Sequence, residues 1–353
     1  MPESTVDSQW LFPISALSRT PTAQDRSLHE EMYDRSRGIE FLYRLGCSIG
    51  LHSPGLFTAA TWFHRFFMRF SMLDYHRQTI AAACIFLATK TEECGRKLRD
   101  VARVSTSKAK GIDVCDIPEN GPDVEEVSGQ ILAAEEVLLE ALCFDFVVDS
   151  PHADLVEIFD AHDVGDRFQD LAWSIAHDSY RTPLCVLYPP KIIATACCIL
   201  TQRIVDGPHS LSLDARVSPS APSSSLPTPP THKPSSPDAS RFAIEFFGLE
   251  ESELLSVADA LAILLNFYEY QAVLGFATNY LEPLTEVQPP TVASYQMRLY
   301  PSSADTGAAF GMTAAQSQSS VLQNSTPVSA HGGNGTPAQM NSTEEVPEKA
   351  DRS

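Results

Sequence analysis

An eleven-residue segment occurs twice in this chain, at 78–88 and again 113 residues later at 191–201. Five positions are identical, and both copies are small and apolar around nearly the whole helical circumference. Such a helix has no face suited to water, so it is surrounded by other helices. The repeat therefore predicts two helical bundles, each built around one central helix. Chance similarity between two buried alanine-rich helices is the alternative that this observation leaves open.

Most of the remaining sequence up to about residue 272 also follows a helical period. Ser27 and Glu30 form a capping-box pattern at the start of one helix, and Gly50 is a typical stop after it. No alternating, strand-like segment of useful length is present, so the predicted fold class is all-α. The predicted helices lie at about 27–49, 54–70, 74–91, 97–108, 124–142, 152–162, 166–181, 189–205, 240–247 and 251–272.

Two stretches have a different character. Residues 206–240 contain ten Ser and eight Pro, and residues 286–353 are polar and rich in Ser, Thr, Gly and Pro. Such sequences bury too little apolar area to offset the entropy lost on ordering. We predict a disordered insertion at 206–240, inside the second bundle, and a disordered tail at 286–353.

The charge of the chain limits the functions it can have. Its formal net charge is -20, which argues against a general nucleic-acid binder, because that class needs a basic surface. Residues 61–110 carry ten Lys or Arg, whereas residues 111–180 carry eighteen Asp or Glu and one Arg. Two solvated faces explain this distribution, and so does a bipolar surface that orients a partner on approach.

Motifs for catalysis, cofactors and membranes are missing from the sequence. There is no phosphate-binding Gly-rich loop, no Gly-x-Ser-x-Gly elbow and no Cys-x-x-Cys pair among the eight cysteines. The first residues lack a secretory signal pattern, and no apolar run reaches membrane-spanning length. We therefore expect an intracellular protein that has no enzyme activity, cofactor, metal site or membrane contact.

Two charged residues interrupt apolar helical stripes. Lys90 continues a stripe of the third predicted helix, and Glu135 lies within a stripe of the fifth. Burial of such groups is costly unless they find a polar partner. One interpretation is a snorkelling lysine near a helix end and a partly exposed glutamate. The other is that both side chains project from the bundle to meet a partner protein.

Several stretches of the sequence, in order, resemble a known family. Residues 63–68 (FHRFFM), 82–93 (AACIFLATKTEE) and 138–146 (LLEALCFDF) resemble the second, third and fifth helices of a cyclin box. In the second repeat, Ala172-Trp173, Asp178-Ser179 and 182–190 (TPLCVLYPP) are similar to transcriptional cyclins of the K and T type. This resemblance covers about residues 8–275 apart from the insertion.

The resemblance implies a domain plan of two tandem five-helix cyclin boxes. An N-terminal extension would occupy 1–26, the first box 27–148 and the second box 149–275, and the tail would begin at 286. A cyclin has no active site of its own. It binds a cyclin-dependent serine/threonine kinase as a heterodimer and sets the geometry of the kinase's catalytic groups.

The resemblance also implies a kinase-binding surface and a cellular role. Its residues would be Lys90, Glu135, Phe86, Glu93 and Phe144. Cyclins of this type pair with kinases that phosphorylate the C-terminal domain of RNA polymerase II, so a nuclear regulator of transcription is expected. The alternative with the same fold is a general transcription factor or scaffold that does not activate a kinase.

Overall fold

The computed structural model describes the chain at residues 9–218, 238–275, 284, 287–294 and 298–301. Within these ranges every regular element is an α-helix or a short 3-10 turn, and no strand is present. The predicted all-α fold class is confirmed for this part of the chain.

Five helices form the first bundle. Ser27 caps α1 as the sequence predicts: its hydroxyl accepts from the Glu30 amide, and the Glu30 carboxylate accepts from the Ser27 amide at 3.0 Å. The chain turns after α1 at Gly50, whose φ of 71° is the left-handed conformation that glycine adopts without strain. The helices are α1 Leu28–Ser48, α2 Ser53–Phe67, α3 Arg77–Thr91, α4 Leu98–Lys110 and α5 Pro122–Ala141.

Helix α3 is the centre of this bundle, as the repeat predicts. Its residues from Ile80 to Ala88 are all buried, and helices α1, α2, α4 and α5 pack around it. Small side chains such as Ala81 and Ala83 let these helices approach closely, while the aromatic residues of α2 fill the space between them. Trp62, Phe63, Phe66 and Phe67 of α2 are fully buried.

The second bundle repeats this plan around α8. Every residue from Ile192 to Gln202 on α8 is buried, and α6, α7, α10 and α11 pack against this helix. A short extra helix, α9, follows α8. The elements are α6 Pro151–Ala161, α7 Asp166–Ser179, α8 Pro190–Asp206, α9 Leu213–Arg216, α10 Ala239–Phe246 and α11 Glu251–Val273.

A series of buried polar groups on α1 and α2 ends in a contact between the two bundles. Arg35 on α1 is fully buried, pairs with Glu31 at 2.7 Å and donates to the Phe67 carbonyl at 2.7 Å. His64 on α2 donates from Nε2 to the Tyr180 carbonyl at 2.8 Å, directly after α7. Burial, with the nearby Arg35 charge, lowers the pKa of His64 to about 3. His64 is therefore neutral and ties α2 to the second bundle.

The structure corrects the boundaries predicted for the insertion. Residues 206–218 are folded, because Leu213 and Val217 on and after α9 are buried in the core of the second bundle. Residues 238–240 are folded too, at the start of α10. The predominantly polar composition of this segment concealed the few apolar residues, such as Leu213 and Val217, that pack into the core. The rest of the prediction, 219–237, lies outside the described residues.

The predicted start of the tail at 286 is also wrong. Leu299 and Tyr300 are buried against the second bundle. Asn266 on α11 donates to the Tyr300 carbonyl at 3.1 Å and accepts from its amide at 2.8 Å. The tyrosine ring stacks on Tyr270, also on α11, with centroids 5.6 Å apart. Two consecutive apolar residues are too short a signal to stand out in a polar segment. Residues 302–353 lie outside the described part.

Candidate functional site

Lys90 and Glu135 form an ion pair between the two helices that the sequence analysis singled out. Lys90 lies in the last turn of α3, and its Nζ is 2.6 and 2.8 Å from the two carboxylate oxygens of Glu135 on α5. The Lys90 ammonium also lies 4.1 Å from the ring centroid of Phe86, one turn earlier on α3. The structure thus brings three of the five predicted site residues into direct contact.

The two members of the pair differ in their exposure to water. The side chain of Lys90 is 48% exposed, whereas that of Glu135 is 8% exposed and that of Phe86 is similarly buried. The lysine therefore compensates a carboxylate that would otherwise be costly to bury. An ammonium has three donors, so one remains for another molecule. The two charged residues that interrupt the apolar stripes are therefore each other's polar partner. Neither interpretation of the sequence proposed that Lys90 and Glu135 pair with each other.

The other two predicted residues lie just beyond the ends of the same two helices. Glu93 is exposed, two residues after α3, with a φ of 54°. Phe144 is 64% exposed, three residues after α5, with a φ of 58°. Left-handed backbone is uncommon for residues other than glycine and asparagine. Both segments therefore hold an exposed side chain on an unusual backbone.

Sequence reasoning missed the residues that shape the segment after α5. Arg65, in the last turn of α2, donates to the Val147 carbonyl, and Asp145 accepts from Trp10. Arg69, two residues after α2, donates to the carbonyl of Ala141, the last residue of α5. The two arginines are four residues apart at the end of a strongly apolar stretch, which is the signal that could have drawn attention to them.

The described residues were compared with the requirements of a metal site, a reactive thiol and a membrane span. No group of three or more His, Cys, Asp or Glu side chains in the described ranges is placed to hold a metal ion. The cysteines of the two central helices, Cys84, Cys197 and Cys198, are free and fully buried, and burial raises the pKa of all three thiols. A raised pKa suppresses the reactive thiolate. None of the described helices has the length and apolar composition that crossing a bilayer requires.

Comparison with known proteins places the first bundle in a family. The cyclin N-terminal domain family matches residues 15–147. Cyclin pch1 of Schizosaccharomyces pombe is 39% identical over 197 residues, which is 55% of this chain and 58% of that protein. Cyclin-K of Danio rerio is 30% identical over 200 residues, or 55% of this chain and 45% of that protein. Cyclin-T1-4 of Arabidopsis thaliana is 32% identical over 203 residues, or 56% and 38%.

The chain spans about half the length of the curated relatives it matches. Among solved structures, a chain in the crystal structure of the yeast RNA Pol II CTD kinase CTDK-1 complex superposes with a TM-score of 0.55 and 17% identity. The match covers 80% of this chain and 79% of that one, and it shows that the two share a fold. Residues 15–147 thus match the cyclin N-terminal domain family, and the curated relatives of this chain include cyclins of the K and T type.

Proposed function

We propose that this chain is a cyclin that binds and activates a cyclin-dependent serine/threonine kinase. The observation that carries the proposal is the ion pair of Lys90 and Glu135 beside Phe86, at the surface of the cyclin N-terminal domain. Lys90 is half exposed and retains a free donor, so it can reach a carbonyl of a docked protein. We assign Glu93 and Phe144 to the rim of the same surface.

Activation follows from docking. A kinase is active when a lysine of its N-terminal lobe pairs with a glutamate of its regulatory helix and its activation loop is ordered. We propose that the first box, 27–148, contacts that helix and holds it inward. The second box, 149–275, packs behind the first through the His64–Tyr180 contact and keeps the docking surface rigid. The cyclin contributes no catalytic group, because the chemistry is in its partner.

We further propose that the kinase acts on the C-terminal domain of RNA polymerase II, in the nucleus. Support comes from the relatives, which are cyclins of the K and T type, and from the fold shared with a chain of an RNA Pol II CTD kinase complex. A cyclin-fold transcription factor that binds no kinase is the competing function. It would need a basic nucleic-acid surface, which a chain with a net charge of -20 does not favour.

The test is to mix the purified full chain with a panel of cyclin-dependent kinases and measure phosphorylation of a polymerase heptad-repeat peptide. At least one kinase should be activated. The double variant Lys90→Ala, Glu135→Ala should weaken binding to that kinase by about 30-fold, because truncating an interface anchor costs about 2 kcal/mol. Helical circular dichroism should be unchanged.

A matched control is available on neighbouring helices. Arg99 on α4 and Glu125 on α5 form another ion pair, 3.3 Å apart and more exposed. The variant Arg99→Ala, Glu125→Ala removes the same number of charges and should leave kinase binding within about twofold. If no kinase binds or is activated, the proposed function is wrong. If both double variants bind equally well, the assigned surface is wrong.

A further inference from the structure

The segment that follows α5 has a strained backbone. After Ala141 ends the helix, Cys143 and Phe144 adopt φ values of 52° and 58° in succession. Left-handed backbone at residues with a Cβ costs free energy, and it persists only where the surroundings hold it in place. Two such residues in a row mean that this elbow, residues 142–147, is held by contacts outside itself.

Two arginines supply part of that hold: Arg65 in the last turn of α2, and Arg69 two residues after that helix. Arg69 donates from Nη1 to the Ala141 carbonyl at 2.6 Å, and the same nitrogen is 3.1 Å from the Cys143 sulfur. Arg65 donates to the Val147 carbonyl at 3.2 Å. One guanidinium group therefore binds the last residue of α5, directly before the elbow, and the other binds Val147 at the end of the elbow.

Trp10 fixes both arginines and the middle of the elbow together. Its ring centroid lies 4.9 Å from the Arg65 guanidinium carbon and 5.4 Å from that of Arg69. Its indole N–H donates to Asp145 Oδ2 at 2.8 Å, an oxygen that also accepts from Gln9 at 2.8 Å. The Trp10 hydrogen bond is the largest cause of the lowered pKa of Asp145. Trp10 itself is 4% exposed.

The elbow separates two phenylalanines. Phe146 turns inward and makes an edge contact with the buried Trp62, at a centroid distance of 5.8 Å. Phe144 turns outward, is 64% exposed and makes an edge contact only with Phe146 among the ring contacts recorded for the described residues. A large exposed aromatic on a strained backbone adds little to the chain's own core. The arrangement is better explained by binding of a partner.

We propose that Trp10 is a positioning residue for the kinase-docking surface: with Asp145 and the two arginines it holds the elbow so that Phe144 faces the partner. This inference rests on the proposed function and deepens it. It gives the N-terminal extension a role that the predicted site residues did not include. Trp10 acts through Phe144 and does not itself touch the kinase.

The first test is a double-mutant cycle on kinase binding. Trp10→Ala should weaken binding about tenfold and Phe144→Ala about 30-fold, in the range of interface anchors. Because Trp10 acts through Phe144, the double variant should bind within about twofold of Phe144→Ala alone. Trp10→Phe keeps a ring over the arginines but loses the N–H donor, so its binding should be intermediate. Fully additive effects would overturn the proposal.

A matched tryptophan provides the control. Trp173 on α7 is 38% exposed and contacts His152 in the second bundle, away from the elbow. Trp173→Ala should leave the kinase dissociation constant within about twofold of the wild type. A loss as large as that of Trp10→Ala would mean that any tryptophan removal weakens binding through general destabilisation, which would overturn the positioning role.

A second measurement needs no kinase. The amides of Cys143, Phe144 and Asp145 donate to the carbonyls of Glu140, Leu139 and Leu142, respectively. Hydrogen exchange of the elbow amides should accelerate at least tenfold in Trp10→Ala and should be unchanged in Trp173→Ala, with α11 as the internal reference. Unchanged hydrogen exchange in Trp10→Ala would overturn the positioning role of Trp10, even if kinase binding by the wild type is confirmed. Failure of the wild type to bind any kinase overturns the proposed function and the presenting role of Phe144 with it.

Discussion

The two central helices, α3 and α8, have similar sequences, but the basic residues near their C-terminal ends have different surroundings. Lys90 on α3 and Arg203 on α8 are 113 residues apart, the same offset that relates the two repeated segments. Lys90 reaches across to Glu135 and stays half exposed. Arg203 instead folds back on its own helix end, donating to the Gly207 carbonyl and, at 3.1 Å, to that of Pro208.

The chain after α8 covers that end. Arg216 on α9 is 5% exposed, lies 2.6 Å from an Asp206 carboxylate oxygen and donates to the Ser240 hydroxyl at 3.2 Å. Nothing comparable covers Lys90 within the described residues. The second bundle thus binds its terminal cation internally, whereas the first leaves its own accessible. The difference agrees with the proposal that the first copy of the repeat carries the docking surface.

The largest effect on stability is expected from a substitution at the covered C-terminal end of α8. Arg216→Ala removes a nearly buried cation together with its contacts to Asp206 and Ser240, so we expect a loss of about 3 kcal/mol in the free energy of unfolding. Urea denaturation followed by circular dichroism measures it. Arg241→Ala, which removes an exposed pair with Glu245 on α10, is the control and should cost less than about 1 kcal/mol.

Two buried cysteines at equivalent positions of the repeat can show which bundle is destabilised. Cys84 on α3 and Cys197 on α8 occupy equivalent positions and are fully buried. A thiol reagent reaches them only when their bundle opens. Arg216→Ala should accelerate labelling of Cys197 and leave Cys84 nearly unchanged. Equal acceleration of both would mean that the two bundles unfold as one unit, which would contradict the comparison.

Acid should act on the junction between the two bundles. His64 and His152 have pKa values lowered to about 3, chiefly by burial, and His152 stacks on Phe57 of the first bundle at 3.9 Å. Both folded-state values lie below the ordinary 6.5. The unfolded chain therefore takes up protons first, and stability is lost as the pH falls from 6.5 towards 3. At pH 5.5 each histidine should cost about 1.4 kcal/mol.

A histidine replacement separates this effect from general acid denaturation. His152→Phe keeps an aromatic ring against Phe57 and removes the titrating group. Urea midpoints of this variant at pH 7.5 and 5.5 should differ less than those of the wild type, by about 1.4 kcal/mol in free energy. An unchanged pH dependence in His152→Phe would show that His152 does not stay neutral in the folded protein.

Much of the fold could be predicted from the sequence because its signals are local or repeated. The segment at 78–88 has no water-facing side, and this alone predicts that α3 lies at the centre of a bundle. The pairing of Ser27 with Glu30 depends only on a spacing of three, so it too was found. Such features do not depend on how distant parts of the chain meet.

What could not be predicted depends on distant contacts. Lys90 and Glu135 each stood out as misplaced charges, yet only the packing of α3 against α5 shows that they pair. The left-handed residues of the elbow are not glycines, so the sequence gives no sign of this backbone conformation. Contacts with Arg65, Arg69 and Trp10, which are distant in sequence, hold it in place. Contacts between distant residues, including that of Tyr300 with α11, leave no periodic pattern in the sequence from which they could be predicted.

The smallest effects should separate the two terminal cations themselves. Arg203→Ala removes charge-assisted hydrogen bonds to two carbonyls at the C-terminal end of α8 and should lower the free energy of unfolding by about 1.5 kcal/mol. Lys90→Ala with Glu135→Ala removes a pair whose lysine is half in water, and should cost less than about 1 kcal/mol. Urea midpoints of both variants measure the difference. A stability loss for the Lys90 and Glu135 variant as large as that for Arg203→Ala would mean that this pair, too, mainly holds its own bundle together. Because a docking residue can be removed without unfolding its owner, the smaller loss is the one that agrees with an open, partner-facing end of α3.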